Sequence, residues 1–385
     1  MRIVYLATVD TTIRYLLLDQ LRHLALRGHD VQVICAPGRT IPEIQQAGIQ
    51  VHPVDLTRRT TPRRDAKALW SIVKLLRALR PDLVHTHTPK AALLGQYAAL
   101  LAGVPRRVHT IHGLYLPAAA TGLRRRAFLV LERVTMWPAH AVLSVSAEDV
   151  GTCRRYSLCP PERLRYQGNG VDIDRFRPPL PGERLHARTA LEIPDDHRVV
   201  GMVGRLVREK GVLEFITAAQ SVVSRHPKTT FLIVGDRDVA KADAVTEMDL
   251  AHAGSHPWLR ILGHREDMPQ LYWAMDLLLH PSHREGLPYV PIEASACGLP
   301  VIATDIRGCR EIVHDGVTGY LVPARDAQAL ADATCRLLED ETARAAFGRN
   351  GRDVAVRTFD QRIVFARVEE TYARLAAVPT SHAEP

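Results

Sequence analysis

HPSHREGLPYVPIEASACGLPVIAT, at residues 280–304, follows an apolar run at 275–279 that is typical of a buried strand. A polar loop comes next, and Pro288 favours the first turn of a helix, where its missing N–H costs nothing. Gly298 and Pro300 end that helix, and the apolar residues after them predict another strand. This order of strand, loop, helix and strand predicts one unit of a parallel α/β sheet.

Two glutamates of this stretch lie where such sheets bind ligands. Glu285 falls in the loop after the first strand, and Glu293 falls inside the following helix. Ligands of open α/β sheets bind in the crevice outside the carboxyl ends of the strands. Carboxylates accept hydrogen bonds from hydroxyl groups, and the N-terminus of a helix favours an anion. The stretch therefore predicts a ligand that is rich in hydroxyls and carries phosphate.

The same alternation of strands and helices continues along the rest of the chain. It predicts an α/β fold with two doubly wound, Rossmann-like domains that face each other across a cleft. A segment rich in proline at residues 176–182 separates the two series of elements. We therefore expect an N-terminal domain at residues 1–178, a C-terminal domain at 190–358 and a last helix at 359–375.

Composition indicates a protein outside the membrane and outside the secretory pathway. The chain has 385 residues, of which 46% are apolar and 5% aromatic. Residues 1–9 are typical of a first strand rather than a signal peptide, because Asp10 follows the short apolar run at once. No run approaches the ~18 apolar residues that a membrane span needs. The six cysteines show no Cys-x-x-Cys pair and no zinc spacing, so we expect reduced thiols and a cytoplasmic location.

Positive charge is concentrated in the N-terminal half. Residues 1–178 hold 26 lysines and arginines against 13 aspartates and glutamates, although the whole chain carries only +8. The arginine clusters there include Arg58–Arg59, Arg63–Arg64, Arg124–Arg126 and Arg154–Arg155. Such a half is either an ordinary solvated surface or a surface for an anionic partner, such as the inner face of the cell membrane. We expect no nucleic acid, because no aromatic residues alternate with the clusters.

A second basic motif opens the C-terminal domain. Gly204-Arg-Leu-Val-Arg-Glu-Lys-Gly211 lies between a predicted strand and a predicted helix. Arg205 and Lys210 are placed there as a diphosphate would require, although a basic loop before a helix is also common without any ligand. Asp236 and Asp238 have the spacing of a metal-binding pair, but they fit a helix cap equally well, and we expect no metal.

Histidines end two predicted strands of the N-terminal domain. His85 and His87 end one strand, with Lys90 close behind, and His109 and His112 end the next. A histidine at a strand end is more often structural than functional. Two such sites beside a lysine nevertheless favour the binding of a polar substrate, and we expect His87 and Lys90 to contact an acceptor.

Together these motifs resemble those of glycosyltransferase family 4, the retaining enzymes with the GT-B fold, and in particular its bacterial members that build surface polysaccharides. The resemblance covers nearly the whole chain, and its most specific part is the spacing of Glu285 and Glu293 within the opening stretch. Supporting parts are Gly204-Arg-Leu206 with Lys210-Gly211, Asn169-Gly-Val-Asp172, His112-Gly113 and Asp315-Gly-Val-Thr-Gly-Tyr-Leu-Val322.

The resemblance implies a UDP-sugar or a GDP-sugar as the donor, without a metal or another cofactor. The residues that it implies for donor binding are Arg205, Lys210, Gly263, Arg265, Glu285, Gly286, Leu287 and Glu293. Those that it implies for catalysis are Glu285, His112, Arg205 and Lys210. Glu285 would bind hydroxyls of the transferred sugar, Glu293 would bind the ribose, and the two cations would hold the diphosphate.

The resemblance also implies an acceptor site in the N-terminal domain, to which the last helix would cross back. We favour an acceptor sugar linked to polyprenyl diphosphate at the inner membrane face. One motif departs from the family, because Asp10-Thr-Thr12 replaces its glycine-rich first loop. This departure puts the usual donor contact of that loop in doubt.

The resemblance implies attack on the same face of the sugar as the departing phosphate, without a side-chain nucleophile. A transferase with a soluble, small-molecule acceptor remains an alternative. So does a nucleotide-sugar epimerase of the same architecture, which would need acid and base residues at the sugar. A scaffold protein without activity is a third alternative, against which the presence of Glu285, Glu293, Arg205 and Lys210 argues.

Overall fold

The computed structural model describes residues 1–59, 61–114, 121–239, 241 and 243–377, except for the side chain of His252. These residues form two compact units. The first comprises Met1–Gly168 together with the chain from Phe365 onward, and the second comprises Asn169–Val364. The division after Gly168 lies earlier in the chain than the predicted domain end at residue 178.

The described part of the first unit contains a parallel sheet of seven strands, in the order β3-β2-β1-β4-β5-β6-β7. The strands are β1 (Arg2–Leu6), β2 (Asp30–Cys35), β3 (Gln50–Pro53), β4 (Leu83–His87), β5 (Arg106–Ile111), β6 (Ala141–Ser144) and β7 (Leu164–Tyr166). The sequence does not predict the two edge strands, β3 and β7, because they have only four and three residues.

Helices connect these strands. They are α1 (Asp10–Thr12), which continues through a π-helical turn at Ile13–Leu17, then α2 (Leu18–Leu26), α3 (Ile41–Gln46), α4 (Pro62–Leu79), α5 (Pro89–Leu101), α6 (Gly122–Met136) and α7 (Ala147–Arg155). Because helices cover both faces, the strands are apolar on both sides. In β1, Ile3 and Tyr5 pack into one buried cluster, whereas Val4 and Leu6 pack into another.

The second unit repeats the same design. Its described part has a parallel sheet of six strands in the order β10-β9-β8-β11-β12-β13. The strands are β8 (Arg198–Val203), β9 (Thr229–Val234), β10 (Leu259–Ile261), β11 (Leu277–His280), β12 (Val301–Thr304) and β13 (Gly319–Val322). The helices are α8 (Glu183–Ala190), α9 (Val212–Arg225), α10 (Glu247–Gly254), α11 (Met268–Ala274), α12 (Tyr289–Ala296), α13 (Cys309–Ile312), α14 (Ala327–Glu339) and α15 (Glu341–Thr358). The predicted α/β class with two doubly wound domains is thus confirmed.

The order of the second sheet determines where a ligand can bind. β8 and β11 are neighbours at its centre, and the chain leaves them toward opposite edges. Such a reversal opens a crevice at the carboxyl ends of the two strands. The loop after β8 holds Arg205 and Lys210, and the loop after β11 holds Glu285. Strand order therefore brings the two predicted motifs to one end of one sheet.

The last helix, α16 (Gln361–Ala377), joins the core of the first unit. Val368 and Tyr372 pack into the same buried cluster as Tyr5. The hydroxyl of Tyr372 also lies 2.6 Å from the hydroxyl of Tyr5 and 2.6 Å from Nδ1 of His85. These buried hydrogen bonds fix the end of the chain to the centre of the first sheet.

A buried carboxylate explains why the second unit includes α8, which the sequence does not predict. Asp276, just before β11, is 7% exposed and accepts hydrogen bonds from Arg184 and Arg188 of α8, each at 2.7 Å. It also accepts one at 2.7 Å from the backbone N–H of Val199. The Asp276 carboxylate and the two guanidinium groups lose hydration when they are buried. They therefore stabilise the unit only while each charge keeps its partner.

Two further observations concern the cysteines and the helices. All six cysteines are buried and free. In the described part of the chain, no helix combines the length and the apolar character that a membrane crossing requires.

Substitution of Asp276 tests the buried set. Asp276→Asn leaves Arg188 buried without its counter-charge, so we expect the free energy of unfolding to fall by about 3–5 kcal/mol. Urea denaturation of the full chain, followed by circular dichroism, measures this change. Asp332→Asn is the matched control, because the Asp332–Arg225 pair is at the surface and should contribute little. Equal effects of the two substitutions would contradict the prediction.

Candidate active site

Glu285 lies in the loop between β11 and α12, and its Oε1 atom accepts three hydrogen bonds. The donors are Nζ of Lys210, Nε2 of His280 at 3.0 Å and Oγ of Ser282 at 2.8 Å. The side chain is buried. Burial alone would raise the pKa of Glu285, but the charge of Lys210 and the hydrogen bond from His280 outweigh it, and the pKa is lowered. Glu285 is therefore an ionised carboxylate in a protected position.

The two oxygens of this carboxylate differ in their protein contacts. Among the hydrogen bonds of the described residues, none involves Oε2 of Glu285. An ionised carboxylate accepts hydrogen bonds only. Glu285 can therefore receive a hydroxyl group while its first oxygen stays bound to the protein.

Close packing of two loops brings Lys210 to Glu285. Gly211 has a φ of +75° and ends the short 3-10 turn at Arg208–Lys210. A Cβ at this position would lie 2.1 Å from the carbonyl oxygen of Pro281. Only glycine permits both this conformation and this approach. The loop after β8 thus contacts the loop after β11 through backbone, and the ammonium group of Lys210 reaches the carboxylate.

A second glycine supports the loop that contains Glu285. Gly308 has a φ of +79°, and a Cβ there would lie 2.0 Å from the carbonyl oxygen of Gly286. The carbonyl of the next residue, Leu287, accepts a hydrogen bond from Nδ2 of Asn169 at 2.7 Å. Gly286 and Leu287, both predicted to bind the donor, are thereby fixed through their backbones.

Arg205 lies in the same loop as Lys210 but is much more exposed. Its guanidinium donates to Asp238 at 2.7 Å, and half of its side chain is accessible to solvent. Asp236 accepts a hydrogen bond from the backbone N–H of His264 at 3.0 Å. The two aspartates with metal-like spacing therefore hold loops together. Among the described residues, no group of three or more His, Cys, Asp or Glu side chains could hold a metal ion.

Glu293 lies on α12, and its Oε2 atom accepts a hydrogen bond of 2.7 Å from the hydroxyl of Tyr272. Burial raises the pKa of Glu293, while the hydrogen bond from Tyr272 and the charge of Arg175 act in the opposite direction. Its Oε1 atom has no hydrogen-bond partner among the described residues. Glu285 and Glu293 therefore share one arrangement, in which one oxygen is bound to the protein and the other can accept a hydroxyl.

The predicted base-binding loop follows β10. Gly263 has a φ of +66°, and its carbonyl accepts a hydrogen bond of 2.8 Å from the N–H of Gly235. Arg265 forms a two-pronged pair with Asp267, with distances of 2.8 and 2.5 Å. The guanidinium of Arg265 is thus oriented by its neighbour in the chain.

In the first unit, His112 follows β5 and His87 ends β4. Nε2 of His112 lies 2.9 Å from Nδ1 of His87. Burial lowers the pKa of His112 to about 4 and the pKa of His87 well below its ordinary value. Both rings are therefore neutral near pH 7, and one of them donates to the other.

Two predicted acceptor-binding residues have other roles in the structure. His87 is fully buried and its ring stacks on that of Tyr5, so it supports His112 rather than forming a surface for an acceptor. Lys90 contacts Asp65, Thr57 and the carbonyl of Arg59 at 2.5–2.8 Å. These contacts favour a structural role for Lys90, which holds the segment before α4 against α5.

The unusual first loop also has a defined partner. Oδ2 of Asp10 accepts hydrogen bonds from N–H and Oγ1 of Thr40, at 2.8 and 2.7 Å. A Cβ at Gly38 would lie 2.0 Å from the Asp10 carboxyl carbon. Asp10 therefore holds the loop after β2 in place.

Sequence reasoning did not single out four residues that orient the two glutamates or their loop, namely His280, Ser282, Tyr272 and Gly308. His280 and Ser282 stand beside Glu285 in the sequence, and their spacing could have suggested a hydrogen-bonded turn. Tyr272 carries no such signal, because it is distant in the chain from Glu293. Asn169 belongs to a motif of the family resemblance, but its contact with Leu287 was not predicted.

Two family models together, and several known proteins, match the chain over most of its length. A family model described as "Glycosyl transferases group 1" matches residues 183–354, and one described as "Glycosyl transferase 4-like domain" matches residues 12–170. The capsular polysaccharide biosynthesis glycosyltransferase CapM of Staphylococcus aureus is 28% identical over 376 residues, which are 96% of this chain and 96% of that protein.

Two further proteins resemble the chain over most of its length. The Escherichia coli UDP-Gal:alpha-D-GlcNAc-diphosphoundecaprenol alpha-1,3-galactosyltransferase is 31% identical over 321 residues, covering 81% of each protein. The crystal structure of Anabaena HepE in complex with UDP and glucose superposes with a TM-score of 0.83 and 25% identity, over 97% of this chain and 100% of that chain. The matches include both units, and the chain therefore belongs to glycosyltransferase family 4 and has the GT-B fold.

Proposed function

We propose that the protein transfers a sugar from a nucleotide-diphosphate donor, with retention of configuration, to a saccharide linked to polyprenyl diphosphate. The observation that carries this proposal is the arrangement of Glu285 and Glu293. Each has one oxygen held by protein donors and one oxygen without a hydrogen-bond partner among the described residues. Two such carboxylates, in the unit that also contains Lys210 and Arg205, suit a ligand that contains two sugars and a diphosphate.

The donor is a UDP-sugar or a GDP-sugar. The E. coli relative is named for a UDP-sugar, and the Anabaena structure contains UDP, so UDP is the first nucleotide to test. In this proposal, Oε2 of Glu285 accepts from the transferred sugar and Oε1 of Glu293 accepts from the ribose. Gly263 and Arg265 lie beside the base.

Charge separation governs the reaction that we propose. Cleavage of the bond between the anomeric carbon and the phosphate oxygen leaves positive charge on the sugar and negative charge on the diphosphate. Lys210 and Arg205 stabilise the negative charge in a site from which water is partly excluded. Arg205 can leave Asp238 at little cost, because ion pairs at an exposed guanidinium are weak. The ionised Glu285 favours the positive charge on the sugar.

Two cations at the diphosphate take the place that a metal would have in the reaction, so we propose a metal-independent enzyme. Neutral His112 can accept a hydrogen bond from a sugar hydroxyl or donate one to it. We propose that it contacts the transferred sugar, and that His87 orients its ring. The acceptor hydroxyl attacks on the face from which the diphosphate leaves, and the departing phosphate oxygen takes its proton.

The acceptor is proposed from the E. coli relative, whose name specifies a diphosphoundecaprenol-linked sugar, and from the capsule-related name of the S. aureus relative. A basic first unit suits a diphosphate-linked acceptor at a membrane surface. Incubation of the full chain with UDP-sugars and a short polyprenyl-diphosphate-linked N-acetylglucosamine, with and without EDTA, tests the proposal. A lipid-linked disaccharide is the expected product. Glycosylation of soluble acceptors alone would contradict it.

Substitution of Lys210 tests the charge that we assign to the leaving group. Lys210→Met should lower kcat by about 100-fold to 1,000-fold, because a cation aimed at the developing charge is lost. The Kd for UDP should change much less, since the charge acts mainly in the transition state. Stopped-time transfer assays and titration calorimetry measure the two effects. Lys228→Met is the control, because Lys228 pairs with Asp196 at an exposed position.

A double substitution separates this effect from a damaged site. In Lys210→Met, Glu285 remains buried without its cation, and this alone could disturb the loop. Lys210→Met with Glu285→Gln removes that unpaired charge. We expect the double variant to be at least as slow as the single variant, because Glu285 has its own role at the transferred sugar. Recovery of activity in the double variant would show that Lys210 only neutralises Glu285.

Substitution of Glu293 tests the ribose contact. Glu293→Gln should weaken UDP-glucose binding by ~1–3 kcal/mol, because the side chain keeps one acceptor oxygen, for which the Tyr272 hydroxyl and the ribose hydroxyl would compete. The wild-type affinity should also fall as the pH drops through the raised pKa of Glu293, since a protonated carboxyl accepts less well. The diphosphate of UDP-glucose is esterified and stays ionised in this range. Titrations at several pH values should show this dependence in wild type and in Glu339→Gln, but not in Glu293→Gln.

A further inference from the structure

An apolar stripe runs along the outside of α6 in the first unit. Its members recur at steps of four, three, four and three residues, which places them on one face of the helix. They are Leu123, Ala127, Val130, Val134 and Trp137. All five are exposed, with Leu123 at 83%, Trp137 at 65% and Val130 at 57%.

The stripe is separate from the face that α6 buries. Thr135 and Met136 are the buried residues of the helix, and Met136 packs into the core beneath. The neighbouring helix α5 contacts α6 at its side, where the hydroxyl of Tyr97 donates to the carbonyl of Val134 at 3.1 Å. Single exposed apolar residues are ordinary, but a continuous stripe of them marks a surface for interaction.

Cations lie on both sides of this stripe. Arg124 and Arg126 are exposed on α6 and border the stripe, one on each side of it. Arg125 and Arg155 lie instead over the ring of Tyr156, at 5.0 and 5.6 Å. Arg125 is two helical turns before Glu132, so these two arginines belong to the side of α6 away from the stripe.

Acidic residues are lacking on this face. Glu132 is the one acidic residue in the sequence of α6. It is half-buried on the opposite side of the helix, where it interacts with the charge of Asp149. The exposed face of α6 therefore combines apolar side chains with positive charge alone.

We propose that the exposed face of α6, with Arg124 and Arg126 beside its apolar stripe, docks the protein onto an anionic lipid bilayer. The apolar stripe enters the interface between headgroups and acyl chains, and the arginines reach the lipid phosphates. Trp137 lies at the level of the headgroups, where indole rings are favoured. A second copy of this chain fits the same face poorly, because a symmetric contact would bring arginine clusters together.

This surface deepens the proposed function and rests on it for its biological meaning. A saccharide linked to polyprenyl diphosphate is presented at a membrane. The connection after β5 begins with His112 and leads into α6. Docking through α6 would therefore hold the unit that we assign to the acceptor against the bilayer that contains it.

Vesicle sedimentation tests the proposal. The full chain should bind vesicles of phosphatidylcholine and phosphatidylglycerol in equal parts, and bind pure phosphatidylcholine much more weakly. Leu123→Glu with Val130→Glu should reduce the partition coefficient by about tenfold or more, because two apolar side chains no longer enter the interface. Leu26→Glu with Val239→Glu is the matched control, since both residues are highly exposed but lie outside α6. Equal loss in both double variants would overturn the proposal.

Tryptophan quenching identifies the inserted face. Trp137 and Trp70 are both exposed, at 65% and 55%, and lie on different helices. Brominated lipids should quench the fluorescence of the wild type and of Trp70→Phe, but should quench Trp137→Phe much less. Loss of quenching in Trp70→Phe alone would place the membrane contact elsewhere. Light scattering of the wild type and of the Leu123→Glu, Val130→Glu variant tests whether a second copy of the chain covers this face instead. If the substitutions converted a dimer to a monomer and left vesicle binding intact, the proposal would also be overturned.

Failure of docking and failure of the proposed transferase activity give different results. With a detergent-dispersed acceptor, the α6 variant should retain wild-type turnover, because no residue of the donor site is changed. With the same acceptor in vesicles, its turnover should fall in parallel with binding. If the wild type bound vesicles but transferred no sugar to any lipid-linked acceptor, the docking surface would stand and the proposed acceptor would not.

Discussion

The ion pair between Lys210 and Glu285 joins the two loops from which the candidate donor site is built. One loop follows β8 and the other follows β11, and the two strands are neighbours at the centre of the second sheet. Their backbones can approach so closely only because Gly211 has no side chain to meet the carbonyl of Pro281. The pair keeps Glu285 ionised despite its burial, and it holds a cation where we propose that the donor diphosphate binds.

The two glutamates of this unit share one arrangement. One carboxylate oxygen accepts hydrogen bonds from the protein, and the other has no such partner among the described residues. Glu285 is fixed through Oε1 by three donors, and Glu293 is fixed through Oε2 by Tyr272. Groups held in this way need little reorganisation when a ligand binds, which is the condition for strong electrostatic stabilisation. Arg205 is held less firmly, since half of its side chain is exposed and its ion pair among the described residues is with Asp238.

The first unit differs from the second in the distribution of its charged groups. Its central histidines are buried and neutral, so the interior contributes hydrogen bonds rather than charge. The positive charge of this half is on the outside, and part of it, at Arg124 and Arg126, lies beside the apolar stripe of α6. A neutral polar interior and a basic outer face suit a domain that handles a sugar on one side and a charged surface on another.

The sequence by itself determined the α/β class and the presence of two doubly wound domains, and it predicted the glutamates of the candidate donor site, because these depend on local periodicity and on motifs within one loop and helix. It also predicted Arg205 and Lys210, which belong to a single strand-to-helix connection. Tertiary structure alone decided which oxygen of each glutamate is open, because Tyr272 and Lys210 reach the glutamates from other elements. It likewise showed that His87 and Lys90 serve inside the first unit, that α8 belongs to the second unit through Asp276, and that two arginine clusters meet at one tyrosine. Such contacts join residues far apart in the chain, and no local pattern records them.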